Sequence, residues 1–171
     1  MIHLSILIAV MSALPVGGPS QQGSPVVEVA LRERLLQAVA AAVTAVDRIN
    51  VKGLTVDSAS ARIEASVERV RQSHHLVTTA AEFARQNPSS MSAQLILLLQ
   101  LDGYQGQVDS VAVNVDAALA RAPAADADRL RVWAGPLDEA LDALFKVRLA
   151  LETVVSAMIA DGEKRLHDCG K

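Results

Sequence analysis

Aromatic side chains are nearly absent: Phe83, Tyr104, Trp133 and Phe145 are the only four in 171 residues. The core must therefore be built from aliphatic residues and alanine. Modules that read unstacked bases on aromatic platforms are excluded. Basic charge is short as well. Sixteen Lys and Arg against nineteen Asp and Glu leave a net charge of −3, the wrong sign for a footprint on phosphate backbones. No nucleic-acid partner is expected. Cysteine occurs once, at Cys169, which rules out an internal disulfide framework and a cysteine-rich zinc site. As a lone thiol it leaves open a disulfide to a second chain. N-glycosylation is closed too, because the near match Asn87-Pro88-Ser89 carries the forbidden proline.

Charge is missing altogether before Glu28. Inside that neutral stretch, residues 2–14 form an apolar run broken only by His3 and Ser12. About 13 residues is too short for a helix to cross a hydrocarbon core of roughly 30 Å, but it suits the hydrophobic region of a signal peptide. Pro15, Gly17, Gly18 and Pro19 then break any helix. Cleavage after Ser20, with Gly18 at the −3 position, is one option; Ser12 and Ala13 offer others. The reading is a secretory signal peptide over 1–20 and one folded domain over 21–171, in a protein that is secreted, extracellular or in a cell wall. No later stretch reaches 18 consecutive apolar residues, so no other membrane span is expected. The remaining 150 or so residues suffice for one core and not for two.

What the chain has in abundance is apolar residues at helical spacing; 51% of it is hydrophobic. Ser24-Pro25 supplies an N-cap and a proline at the first helical position. Leu31, Leu35, Val39, Ala42, Val46 and Ile49 then step by four and three, with Gly53 as the expected C-cap. A second stripe, started by Thr55 or Asp57, carries Val56, Ile63, Val67, Val70, His74, Val77, Ala81 and Ala84 and ends at Asn87-Pro88. A third starts at Ser89 or Ser90 and carries Leu97, Leu101, Tyr104, Val108, Val111, Val115 and Leu119. The fourth follows Pro123 with Leu130, Trp133, Leu137, Leu141, Leu144, Leu151, Val154 and Met158. Long stripes on short connections predict an all-α antiparallel bundle.

Two places strain this pattern. Gly103 and Gly106 each cost about 1 kcal/mol in a helix relative to alanine, and Pro136 clashes with the turn before it. A kink or break at either site gives a range of four to six amphipathic helices. The run Leu95 to Leu99 is apolar all round and is expected to be the most buried segment.

Chemistry-bearing residues are sparse. His74 and His75 are adjacent, so on a helix they point about 100° apart and grip one ion poorly. His167-Asp168-Cys169 holds nucleophile-type residues, yet adjacency in sequence does not make triad geometry. Glu64, Glu68, Arg62, Arg69 and Arg71 read as a solvated face with weak i,i+4 pairs. The expectation is a non-enzymatic protein with no catalytic residues, no metal and no cofactor.

Three stretches resemble one family. Ala38-Val39 through Asp47-Arg48-Ile49 to Gly53 looks like its first helix and glycine. The leucine-rich segment, break and valine-rich helix of Leu95 to Leu119 form the best local match. Leu149 to Leu166, with Ala157-Met-Ile-Ala-Asp-Gly162, resembles its closing helix. Together with the leader and the scarcity of aromatics, these are similar to the fungal hydrophobic surface-binding proteins, also described as cell-wall galactomannoproteins. The likeness is one of pattern over most of residues 26–166, without an invariant motif, and the Gly103/Gly106 pair is unusual for the family.

The resemblance implies a secreted or wall-associated protein that binds hydrophobic surfaces or lipids, in some members with a fatty acid between the helices. A secreted hydrolase or a host protein is a further partner it allows. Physically, helices joined by aliphatic burial of about 25 cal/mol per Å² can part and leave room for an acyl chain. The expected lining is Leu97, Leu98, Leu101, Tyr104, Val108, Leu141, Leu144 and Met158. A closed core is the alternative for the same residues. A secreted helical interaction protein or effector that binds another protein through an exposed helix face is the alternative function.

Overall fold

The computed structural model describes residues 25–55 and 57–169. The proposed signal segment lies outside them, as do Ser24 and Val56. Four helices and no strand occur among the described residues: α1 Pro25–Asp47, α2 Asp57–Gln86, α3 Met91–Leu119 and α4 Ala124–Cys169. The all-α expectation therefore holds at its lower count. Short loops reverse the chain between successive helices, and packing runs from α2 to α3, α3 to α4 and α4 back to α1. α1 packs closely on α4 and less closely on α2.

Local signals account for the helix ends. Pro25 opens α1, where its missing N–H is one of the unpaired donors in any case. Ser90 caps α3, its hydroxyl accepting from the Ala93 N–H at 3.3 Å. Gly53, in contrast, is not the C-cap of α1. The helix has already ended at Asp47, and Gly53 sits in a turn closed by the Leu54 N–H on the Val51 carbonyl at 3.1 Å. Its φ of +78° is the left-handed conformation for which glycine is suited.

Neither suspected break interrupts a helix. α3 runs through Gly103 and Gly106 because their neighbours Leu101, Tyr104 and Val108 are fully buried, a gain of about 1.5–3 kcal/mol per large side chain against about 1 per glycine. α4 runs through Pro136. That proline removes the hydrogen bond to the carbonyl four residues back, on Val132, a residue on the solvent face of the helix.

The core consists of the four stripes. Leu35, Val39, Ala42 and Val46 meet Ile63, Val67, Val70 and Val77, with Leu101, Tyr104, Val108, Leu130, Leu137 and Leu144 completing it. Two expectations fail here. His74 is exposed, and the second stripe passes it with Val70 and Val77 carrying the burial. The run Leu95 to Leu99 is not buried all round, since Ile96 and Leu99 face solvent. A helix at the corner of a four-helix bundle always keeps one face in water.

Among the described residues, the far end of α4 carries no buried side chain. The last buried residue of the helix is Val155, so residues 156–169 extend about 21 Å past it at 1.5 Å per residue. Cys169 is exposed there.

The opposite end is clasped by Asp126, a buried acid in the first turn of α4. Its carboxylate accepts from the Thr55 N–H at 2.9 Å and the Thr55 hydroxyl at 2.6 Å. Arg129, one turn on, donates to the Asn50 and Lys52 carbonyls at 2.8 and 3.1 Å and lies over Trp133. Thr55 thus ties the α1–α2 loop to α4, whereas α2 begins at Asp57.

Candidate functional site

At the α2–α3 turn the four helices diverge around a cleft of about 250 Å³. α1 contributes Val29, Leu31, Arg32 and Leu35 to it, and α2 contributes Ala81, Ala84 and Arg85. Pro88 and Gln94 line it at the start of α3, followed by Leu97; Val147 and Leu151 of α4 close the far side. The volume lies between the roughly 150 Å³ that accommodates benzene and the roughly 300 Å³ where ordinary ligand pockets begin.

The cause of the cleft is local. Ala81 and Ala84 occupy the positions where the last turns of α2 face α1, and alanine cannot span the distance that Leu101 and Leu144 fill elsewhere. The walls are aliphatic. Gln94 is the polar residue buried among them, and its side-chain amide donates to the Pro88 carbonyl at 3.3 Å.

The charged lining residues, Arg32 and Arg85, are half-exposed and so sit where the cleft meets solvent. Glu82 accepts from Arg32 of α1 at 3.3 Å, from both the Nε (2.8 Å) and an Nη of Arg85, and from Gln86 at 3.0 Å. The Arg85 guanidinium beside it, more than Gln86 or Arg32, holds the Glu82 carboxyl down at about 2. Arg85 is in turn pushed above its ordinary value by Glu82.

A smaller recess of about 240 Å³ lies further along the same α1–α2 seam, lined by Val43, Val46, Asp47, Val70, Arg71 and His74. Arg71 bridges Asp47 across it at 3.1 Å. The His74 ring meets the Arg71 carbonyl at 3.4 Å. Thr78 donates to the backbone carbonyls of His74 and His75, not to either imidazole. No cluster of three potential metal ligands occurs among the described residues, and no helix there is long and apolar enough to cross a membrane.

Of the eight residues expected to line a cavity, Leu97 does so. Leu101, Tyr104, Val108 and Leu144 are sealed in the core, and Leu98 and Leu141 pack partly buried against it. Met158 lies beyond Val155 on the free end of α4, half-buried. Tyr104 is the largest fully buried side chain, and its hydroxyl has no hydrogen-bond partner. Desolvation first, and the Asp47 carboxylate second, push its pKa up to about 12.

Apart from Leu97, sequence reasoning missed the lining, including Ala81, Ala84, Arg32 and Arg85. The signal that pointed to the alanines was a stripe thinning from Val67, Val70 and Val77 to alanine at its C-terminal end. Compared with protein-family models, curated proteins and solved structures, the chain finds no match.

Proposed function

We propose that this chain is a secreted, non-enzymatic carrier or binder of apolar ligands, with a single acyl chain lying between the helices at the α2–α3 end. The observation that carries the reading is the aliphatic cleft with its charged lining residues, Arg32 and Arg85, at the mouth. Such a shape favours a ligand that is apolar along its length and polar at one end. The patterned resemblance to hydrophobic surface-binding proteins points the same way, as does the leader-like N-terminal run.

Native mass spectrometry of the full chain tests it. The expected result is a mass increment matching a long-chain amphiphile, lost in Ala84→Leu, where the larger side chain fills the cleft. Equal loading of the wild type and Ala84→Leu, or no uptake of any acyl chain by the wild type, overturns it.

A second reading, a surface that docks on another protein, is favoured by one flank. Arg148 bridges Asp102 at 2.8 Å across the α3–α4 seam. Leu99, one turn before Asp102, and Phe145 and Leu149 on either side of Arg148 are all exposed. Apolar residues gathered on one flank mark contact surfaces more often than scattered ones do.

A further inference from the structure

Resting on the cleft reading above, we propose that Arg32 and Arg85 form a head-group site for a long-chain carboxylate, and that Glu82 competes with that carboxylate for the same two guanidiniums. Among the described residues, α1 offers Arg32 to the cleft and α2 offers Arg85, with Glu82 and Gln86 hydrogen-bonded beside it; Gln94 is buried in the wall, and α4 lines the cleft with Val147 and Leu151. Among the described residues, two guanidiniums thus face one carboxylate, a local excess of one positive charge on a chain whose net charge is −3. A neutral or cationic head gains nothing there.

Geometry favours a carboxylate in particular. Arg85 already grips Glu82 through both its Nε and an Nη, the two-pronged arrangement in which guanidinium and carboxylate fit best. Glu82 shows that the mouth accommodates such a group within reach of both arginines, with Arg32 at 3.3 Å completing it from α1. Exchange is easy. The side chains of Arg32, Glu82 and Arg85 are each between 42% and 47% exposed, and ion pairs this open to water add little to stability. A ligand whose tail is held by Leu35, Ala84, Leu97 and Leu151 brings its head to the arginines at high effective concentration, an advantage free acetate lacks.

Calorimetric titration of the full chain with dodecanoate, dodecan-1-ol, dodecyltrimethylammonium and acetate, all below micelle-forming concentrations and at low ionic strength, tests this. Dodecanoate is expected to bind at least tenfold more tightly than the alcohol, the cation more weakly still, and acetate not detectably. Arg32→Gln with Arg85→Gln should erase the preference for dodecanoate, so that it binds no more tightly than the alcohol. Glu82→Gln should tighten dodecanoate severalfold and leave the alcohol unchanged. The substituted side chains are half-exposed, and the alcohol arm reports that the cleft is still intact. Equal affinity for dodecanoate and the alcohol overturns the head-group site but leaves the cleft reading standing. Failure of all the twelve-carbon compounds to bind the wild type overturns both.

Discussion

Two of the bundle's seams, α3–α4 and α1–α2, are built from the same residue types and behave differently. Along α3–α4, Leu101, Tyr104 and Val108 are fully buried with Leu137 and Leu144, and Asp102–Arg148 bridges the rim. Along α1–α2 the helices approach less closely. Both recesses open there, and Arg32–Glu82 and Asp47–Arg71 span the gap. The lesson concerns volume. Leucine and tyrosine reach across one seam, whereas Ala81 and Ala84 cannot reach across the other, so surface ion pairs close over a hollow. A bundle can thus combine a rigid half with a half that holds a ligand, using one aliphatic alphabet.

Substitutions should break this contrast in a defined order. Leu101→Ala in the tight seam should cost about 3–5 kcal/mol in urea unfolding, while Leu35→Ala in the loose one should fall near 2, because its site is already hollow. Equal losses would erase the distinction between the seams.

Asp126→Ala should come next. It strands the Thr55 N–H and hydroxyl and releases the loop that joins α1 to α2, so the melting temperature should drop by several degrees. The Asp126 carboxyl is held below its ordinary value mainly by the Thr55 hydrogen bonds. Its stabilisation is therefore present above about pH 4 and declines as pH falls further. A wild-type melting temperature that stays flat below pH 4, with Asp126→Ala showing no deficit at neutral pH, would remove the clasp.

Tyr104→Phe should raise stability by about 1 kcal/mol, since it deletes a buried hydroxyl without a partner. The folded-state pKa near 12 lies above the usual 10, so the wild type should lose stability between about pH 10 and 12 as the unfolded chain ionises first. Tyr104→Phe should lack that decline, and titration of the melting temperature in both proteins checks the difference. The smallest effect is expected from Arg71→Gln, which opens an exposed pair worth under about 1 kcal/mol; urea midpoints within error of the wild type would fit, and a loss above 2 would show the loose seam to depend on it.

Much of the fold was legible because burial in a bundle follows a 3.6-residue period. The stripes from Leu31, Ile63, Leu97 and Leu130 can be followed without coordinates, as can Pro25 and Ser90 at helix starts. Gly103, Gly106 and Pro136 misled for a shared reason. Local breaker chemistry marks where a helix is costly, and only tertiary burial decides whether the cost is met. The cleft was least legible. Its position depends on how far α1 stands from α2, and its mouth joins Arg32 to Glu82 across 50 residues of sequence. Leu101, Tyr104, Val108 and Leu144 have the same stripe signature as Leu97, so periodicity could not distinguish a core residue from a lining one.

The central claim, that the loose seam is the ligand site, is tested most directly by methyl NMR of the full chain titrated with dodecanoate. The account predicts shifts at Leu31, Leu35, Leu97, Val147 and Leu151 and still signals at Leu101, Leu130 and Leu137. Shifts confined to Leu99 and Leu149 on the outer flank, or no shifts at any methyl group, would contradict it.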